Sequence, residues 1–336
     1  MSGDRAEREQ EIHTRESNGV TMIVAIDSTR RGPSLGGCRW RPYASAAAGE
    51  ADARALARAM TRKAALARLS LGGGKAVVIG DPRTRTREQM LAFGDLVESL
   101  GGRYITAADM GTSQAEMAVF AERTRHVAGL PPELGGCGDP GPFTAHGIFR
   151  AIRAALHHRG RETAGAHVAI QGMGSVGGTL ATLLVEAGAH VTAADPREAS
   201  LRPAMDTEVR WVTPDSISRT RCEVFAPCGP PGVIDAAVAA ELRCEIVCGG
   251  ANNPLTGVDV ARDLDARGVL YVPDFLANAG GLIHLAVALE GGDAEATLRR
   301  LDVIPENLSA VLTQAKSDHA DMATTAIRLA EASLPS

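Results

Sequence analysis

Between residues 167 and 187 an apolar run, a glycine cluster and an apolar helix follow one another without a spacer. Few folds accommodate that succession. The residues are His167-Val168-Ala169-Ile170-Gln171, then Gly172-Met173-Gly174-Ser175-Val176-Gly177, then an apolar segment at helical spacing that runs to residue 187. The first five read as a buried strand, and the spacing beyond Gly174 reads as a helix. Gly172 permits the tight turn, Gly174 permits close approach to the backbone, and Gly177 lets the helix lie against the strand. The helix start at Ser175 and Val176 then offers unpaired N–H groups and the positive end of the dipole, which suits a pyrophosphate. The next strand ends at Asp195, 23 residues after Gly172. A carboxylate there hydrogen-bonds the ribose hydroxyls of a dinucleotide and disfavours a 2′-phosphate, so NAD is expected over NADP. Arg197, two residues on, softens that preference.

The alternation continues. Strands are expected at 190–194, 224–226, 245–248 and 269–272, with helices that include 258–266, which predicts a doubly wound parallel sheet. The N-terminal part predicts a strand at 20–26 and a helix from about 46 to 69 with Leu56, Met60, Ala64 and Leu66 on one face. A short strand at 75–79, a helix at 87–100, a strand at 104–106 and a helix at 113–122 follow. Residues 1–16 are polar and charged, and residues 31–45, rich in glycine and proline, are expected to form a loop. A second such loop at 129–142 marks a domain boundary. The helix after it, 143–158, is expected to cross a cleft, and the helical stretch 294–334 to pack back on the first domain. The expected class is α/β. Residues 1–135, joined by 295–336, form a substrate-binding and oligomerisation domain; residues 136–294 form a Rossmann NAD domain, with the cleft between them.

With 336 residues the chain is long enough for two domains, and a net charge of −5 leaves no basic field to hold nucleic acid or an anionic membrane. No run of about 18 apolar residues suggests a membrane span, and the first residues lack the apolar core of a signal peptide, so a cytoplasmic protein is expected. The six cysteines form no Cys-x-x-Cys pair and the nine histidines show no ligand spacing. They read as reduced, largely buried thiols, and no metal site is expected.

Reactive chemistry is concentrated elsewhere. Met60-Thr61-Arg62-Lys63-Ala64-Ala65 lies near a helix end, and Gly72-Gly73-Gly74-Lys75 follows it. Oxidising an amino acid requires a fixed cation for the carboxylate and a base that activates water. Lysine can serve as either, because an ammonium that is desolvated beside another cation loses its proton more easily. Asp109 in Ile105-Thr106-Ala107-Ala108-Asp109-Met110-Gly111-Thr112 sits just past a short strand, where reactive groups are often carried. Taken alone, two lysines and an aspartate on turns would more often be solvated surface charges.

The wording of these segments resembles the Glu/Leu/Phe/Val dehydrogenase family, in its leucine, valine and phenylalanine branch. The matching stretches are Gly32-Pro33-Ser34-Leu35-Gly36-Gly37-Cys38-Arg39, the two lysine segments, residues 106–112, and Gly138-Asp139-Pro140-Gly141-Pro142-Phe143-Thr144-Ala145. In the second domain they are Ala226-Pro227-Cys228, Gly250-Ala251-Asn252-Asn253 and the stretch from Pro273 to Gly281. The resemblance covers residues 18 to 290. It implies that Lys63 holds the substrate carboxylate, that Lys75 is the base for the water attacking the imine, and that Asp109 shuttles a proton at the amine nitrogen. Gly36 and Gly37 would let the substrate lie against the backbone. Thr144, Asn252 and Asn253 would orient the nicotinamide, Ala226 and Cys228 would line the cofactor site, and Asn278 would stand close to substrate and cofactor. Two departures stand out: Gly141 replaces a common serine, and Arg62 replaces an aromatic or aliphatic residue.

The same resemblance places Leu35, Ala107, Leu282 and Leu285 around the substrate side chain. An apolar pocket disfavours glutamate, whose second carboxylate would be buried unpaired. The implied activity is NAD-dependent, reversible oxidative deamination of an apolar L-amino acid, leucine- or valine-like, to the 2-oxo acid and ammonia, by a homo-oligomer. The alternatives are the same chemistry on phenylalanine or tryptophan in a specialised pathway, and a non-catalytic NAD-binding regulator.

Overall fold

The computed structural model describes residues 10–197 and 208–335. The chain divides into two compact units. One comprises Met1–Asp139 with Leu285–Asp293 and Ala330–Ser336; the other comprises Pro140–His284 with Ala294–Leu329.

The first unit is built on a five-stranded mixed sheet. Its strands are β1 (Glu11–Ser17), β2 (Val20–Ser28), β3 (Ser34–Arg41), β4 (Gly72–Ile79) and β5 (Tyr104–Ala108), in the order β1-β2-β4-β3-β5. The β1–β2 and β2–β4 pairs are antiparallel, and β3 runs parallel to both β4 and β5. Helix α1 (Ala46–Leu66), capped by the Ser45 hydroxyl accepting from the Ala48 N–H, covers one face. Its small Ala53 and Ala57 meet Ile23, Ala25 and Val77, so helix and sheet lie close. Gly73 adds to this: a Cβ there would fall 2.1 Å from the Thr61 backbone nitrogen. Helices α2 (Arg87–Ser99) and α3 (Gln114–Phe120) cover the other face, where Trp40, Tyr104, Phe93 and Phe120 are fully buried. Each such side chain contributes about 1.5–3 kcal/mol of burial, so that face anchors the unit.

In the second unit the described strands β6 (His167–Gln171), β7 (His190–Ala194), β8 (Val209–Trp211), β9 (Val224–Pro227), β10 (Ile246–Val247) and β11 (Leu270–Tyr271) all pair in parallel. Their order is β8-β7-β6-β9-β10-β11, the doubly wound arrangement whose direction of winding reverses between β6 and β9. Helix α4 (Gly141–His158) packs on α5 (Ser175–Glu186). Further helices are α6 (Ala236–Glu241), α7 (Val258–Ala266), α8 (Asp274–Ala277), α9 (Gly280–Leu289), α10 (Ala294–Arg300), α11 (Val303–Asp318) and α12 (Met322–Ala332). No described helix is long and apolar enough to cross a membrane.

Four local expectations are corrected. The polar start contains β1, an edge strand in which Glu11, Thr14 and Glu16 are exposed and no residue is fully buried, so few apolar residues are needed there. The segment expected to be a loop at 31–45 holds β3, a central strand of the first sheet. Its glycines belong to tight strand packing, since a Cβ on Gly36 would lie 1.7 Å from the Gly74 carbonyl oxygen. For the same reason the strand expected at 75–79 begins three residues earlier, within the glycines. The C-terminal stretch is three separate helices; residues 294–329 pack with the second unit and 330–336 with the first.

Candidate active site

Successive residues of a strand face opposite sides of a sheet. Gly37 stands opposite Ala107 of β5, Cys38 stands opposite Ala76 of β4, and Lys75 stands opposite Ala25 of β2. Leu35, Gly37, Arg39, Lys75 and Ala107 therefore share the face covered by α1, and Asp109, just beyond β5, falls on the same side. Gly37 lets Asp109 come close: an added Cβ would lie 2.7 Å from the Asp109 Cβ and 2.8 Å from the Ala108 carbonyl oxygen. Both glycines of the pair are thus explained by contacts within the protein.

Lys75 is buried and its Nζ donates to Asp109 Oδ2 at 2.9 Å. Arg39 Nε donates to the same oxygen, also at 2.9 Å. Burial pushes the Asp109 carboxyl up, but the charges of Lys75 and Arg39 outweigh it and hold the group at about 2, so it stays ionised. Arg39 Nη1 reaches Asp52 Oδ2 on α1 at 3.2 Å, and the Tyr43 hydroxyl donates to that oxygen at 2.5 Å. The aspartate loop is tied down as well, because the Asp109 N–H donates to Thr112 Oγ1 at 3.0 Å and that hydroxyl donates to the Cys38 carbonyl at 2.8 Å.

Of the residues expected on this side, Lys75 and Asp109 meet directly, and Leu35 and Ala107 lie buried on their face. Lys63 occupies the last turn of α1, two residues beyond the Thr61 that rests on Gly73. Leu285 belongs to this unit and stands near Gly129, while Leu282 belongs to the other. Sequence reasoning missed Arg39, Asp52 and Tyr43. Arg39 lay inside a quoted motif. A two-residue alternation carried on from Gly37 would have found it, had 34–41 been read as a strand. Arg62, the unusual neighbour of Lys63, pairs with Glu331 at 2.7 Å.

In the second unit the glycine turn lies between β6 and α5, at the edge where winding reverses. Gly172 has φ +94°, and a Cβ there would lie 2.8 Å from the Gly229 nitrogen. A Cβ on Gly177 would lie 1.9 Å from the Gly172 carbonyl oxygen. By contrast, among the described residues a Cβ on Gly174 would meet only Arg197 Nη2, at 4.0 Å, which leaves space over the first turn of α5. No side chain caps α5, so Ser175 and Val176 open a helix whose N-terminal N–H groups suit phosphate oxygens. The buried Asp195 accepts the Met173 N–H at 2.9 Å and the Arg197 N–H at 2.8 Å, and the Arg197 guanidinium folds back on both its oxygens. Burial pushes this carboxyl up, and these hydrogen bonds outweigh it and hold it at about 2.

Beyond β9, which contains the buried Ala226, the Cys228 N–H donates to the Gln171 carbonyl at 2.7 Å; burial pushes the Cys228 thiol up to about 12. Asn278 is buried and donates from Nδ2 to Asn252 Oδ1 at 2.9 Å and to the Gly250 carbonyl at 3.2 Å. Its Oδ1 has no partner, which leaves a buried acceptor for an incoming N–H. Asn253, at φ +48°, instead gives its backbone N–H to Asp274 Oδ2 at 2.8 Å. Thr144, in the first turn of α4, donates to the Pro140 carbonyl at 3.1 Å and faces Gly281. A groove of about 1100 Å³ along α4 and α11 contains none of these residues. Among the described residues no group of three or more His, Cys, Asp or Glu side chains could hold a metal ion.

The chain is similar to known proteins over almost its whole length. Residues 7–126 match the Glu/Leu/Phe/Val dehydrogenase dimerisation domain, and residues 135–202 and 196–333 match Glutamate/Leucine/Phenylalanine/Valine dehydrogenase. A valine dehydrogenase of Streptomyces coelicolor is 40% identical over 322 residues, which cover 94% of this chain and 88% of that protein. A leucine dehydrogenase of Bacillus subtilis is 38% identical over 320 residues, covering 94% and 88%. Among solved structures, an L-tryptophan dehydrogenase from Nostoc punctiforme superposes with a TM-score of 0.82 at 31% identity, covering 96% of this chain and 95% of that one.

Proposed function

The chain belongs to the Glu/Leu/Phe/Val dehydrogenase family, and from that premise we propose that it carries out the NAD-dependent, reversible oxidative deamination of an apolar, leucine- or valine-like L-amino acid. Membership makes it an amino-acid dehydrogenase. The observation that carries the finer reading is the contact between buried Lys75 and half-buried Asp109 on a sheet face that also presents Leu35 and Ala107. Apolar walls beside paired charges suit an amino acid whose polar end is chemically engaged and whose side chain is not.

In the proposed reaction an amino acid, water and NAD⁺ give the 2-oxo acid, ammonium, NADH and one proton. Lys63 neutralises the substrate carboxylate. Asp109 takes a proton from the substrate ammonium, because only the neutral amine can push electrons toward carbon as the Cα–H bond breaks. Lys75 in its neutral form then takes a proton from the water that adds to the imine carbon, and Asp109 returns its proton to the nitrogen. The C–N bond breaks as the carbinol hydroxyl proton leaves with the ammonia as ammonium, and Lys75 releases the one product proton. With 2.9 Å between their tips, Lys75 and Asp109 act as one acid–base unit, and such help is typically worth about 10²–10⁴-fold.

The second unit fits a dinucleotide. The space over Gly174 and the uncapped start of α5 would receive the pyrophosphate. Asp195 would take the ribose hydroxyls once Arg197 turns aside, and the open acceptor of Asn278, with Asn252 and Thr144, would orient the carboxamide of the nicotinamide. When bound, the cofactor supplies the two-electron acceptor for the Cα hydrogen. The match to a dimerisation domain supports a homo-oligomer, and we place the enzyme in the cytoplasm.

An aromatic substrate is the second reading, supported by the tryptophan dehydrogenase neighbour and by a phenylalanine dehydrogenase of Thermoactinomyces intermedius that is 37% identical. The deciding experiment is NADH formation at alkaline pH across the twenty amino acids, repeated with NADP. Turnover should be highest with leucine, valine or isoleucine and near background with glutamate. Highest turnover with tryptophan or phenylalanine would select the second reading, and none with any apolar amino acid would overturn both.

A further inference from the structure

The two oxygens of Asp109 are treated differently. Oδ2 accepts from both Lys75 Nζ and Arg39 Nε at 2.9 Å, whereas among the described residues no side chain or backbone group donates to Oδ1. About 17% of the side chain is exposed, so the carboxylate is buried except where an incoming group can reach it. A lysine ammonium is a point charge on a flexible stem and does not by itself dictate the plane of the carboxylate it touches. The planar guanidinium of Arg39 is directional, and it is held in turn: Nη1 is bound to Asp52 Oδ2 at 3.2 Å, and the Tyr43 hydroxyl donates to the same oxygen. The result is two cations and two carboxylates of balanced charge on a largely buried sheet face, a combination that burial tolerates far better than an odd charge.

We propose that Arg39 is a positioning residue of the catalytic centre: it clamps Asp109 Oδ2, which aims Oδ1 at the substrate amine. The inference rests on the reading of Asp109 as the proton carrier at the amine nitrogen. The charged and titratable groups around Asp109 are Lys75 from β4, Arg39 from β3, Asp52 from α1 and Tyr43 after β3. Cys38 and the Arg85–Glu116 pair lie on the far face of the sheet. Asp52 bonds Arg39, and Tyr43 bonds Asp52. With Arg39 gone, the burial that pushes the Asp109 carboxyl up is opposed by Lys75 alone, so the group takes up a proton at higher pH.

The test uses the full-length enzyme as Arg39→Met and Arg39→Lys, with Asp109→Asn alongside. The readouts are kcat and KM for the amino acid and NADH binding by fluorescence. Arg39→Met should lower kcat by about 10²-fold with KM changed far less, since misplacing a reacting group by about 1 Å costs that much. Arg39→Lys should restore only part of kcat, because it returns the charge without the fork. NADH binding should be unchanged. A kcat near wild type in Arg39→Met would overturn the proposal, as would a loss carried by KM with kcat unchanged. If Arg39→Met does not fold, Arg39→Lys decides: a kcat within twofold of wild type overturns the positioning role, and a tenfold loss with KM changed far less supports it. Full activity in Asp109→Asn would instead sink the underlying reading of Asp109. Activity lost there but kept in Arg39→Met would remove the Arg39 proposal alone.

Discussion

Replacing Gly37 by alanine tests whether strand packing sets the geometry of the Lys75–Asp109 pair. The new Cβ would stand 2.7 Å from the Asp109 Cβ and 2.8 Å from the Ala108 carbonyl oxygen, where ordinary contact begins at 3.4 Å. Neither neighbour is the end of a flexible side chain, so β5 and its aspartate must retreat by about 0.7 Å. A 2.9 Å charge contact stretched by that amount is no longer a hydrogen bond. Overpacking of this size costs about 1–3 kcal/mol, and each kcal/mol lowers Tm by about 2–4 °C for a unit of this size. The displacement should lower kcat by roughly 10²-fold. NADH production under saturating amino acid gives kcat, thermal unfolding gives Tm, and NADH fluorescence shows whether the other unit is intact. A kcat at the wild-type level would refute the reasoning. A raised KM with unchanged kcat would transfer the importance of Gly37 from Asp109 to direct contact with the substrate.

Other outcomes follow from the same geometry. Lys75→Ala should reduce turnover by about 10²–10⁴-fold while NADH binding, read by fluorescence, survives, since the residues proposed to hold the cofactor lie in the other unit. Gly172→Ala forces a side chain into φ +94° and against Gly229, so NADH affinity and Tm should both fall, the latter through a loss of roughly 1–3 kcal/mol. Asp109 and Asp195 have folded pKa values of about 2, below the ordinary 3.8, so their stabilisation is present above pH 4 and lost as pH falls from about 4 to about 2. Each contributes about 2 kcal/mol, and denaturant unfolding at pH 7, 4 and 2.5 should show the decline. Arg197→Glu should weaken NADPH binding more than NADH binding, because the guanidinium beside Asp195 is the group able to meet a 2′-phosphate. Equal weakening of both cofactors would remove Arg197 from cofactor discrimination.

Where periodicity was strong the sequence was easy to read. The glycine turn at 172–177, its flanking strand and helix, and the helix at 258–266 stand where their spacing puts them. The strand at 34–41 was hidden because glycine and proline weigh locally toward loops, whereas the tight packing of β3 beside β4 and β5 is a property of the whole sheet. That error concealed Arg39, whose importance depends on the two-residue alternation of a strand. Lys75 and Asp109 were identified through resemblance; their 2.9 Å contact comes from strand register, which no local pattern in either segment encodes. Asp195 stands just past the end of β7, where the sequence places it, but its inward bonds to Met173 and Arg197 depend on how the glycine turn folds over it.

Because β3 is an interior strand of its sheet and, in the proposed mechanism, the floor beneath the reacting groups, altering the enzyme's appetite for side chains is constrained there. Leu35 already carries a side chain and can be resized. Gly36 and Gly37 offer no such latitude, because any added bulk strikes main chain. Laboratory selection for new substrates should therefore accumulate its changes around Leu35, Ala107 and the helix bearing Leu282 and Leu285, and leave the glycine pair untouched.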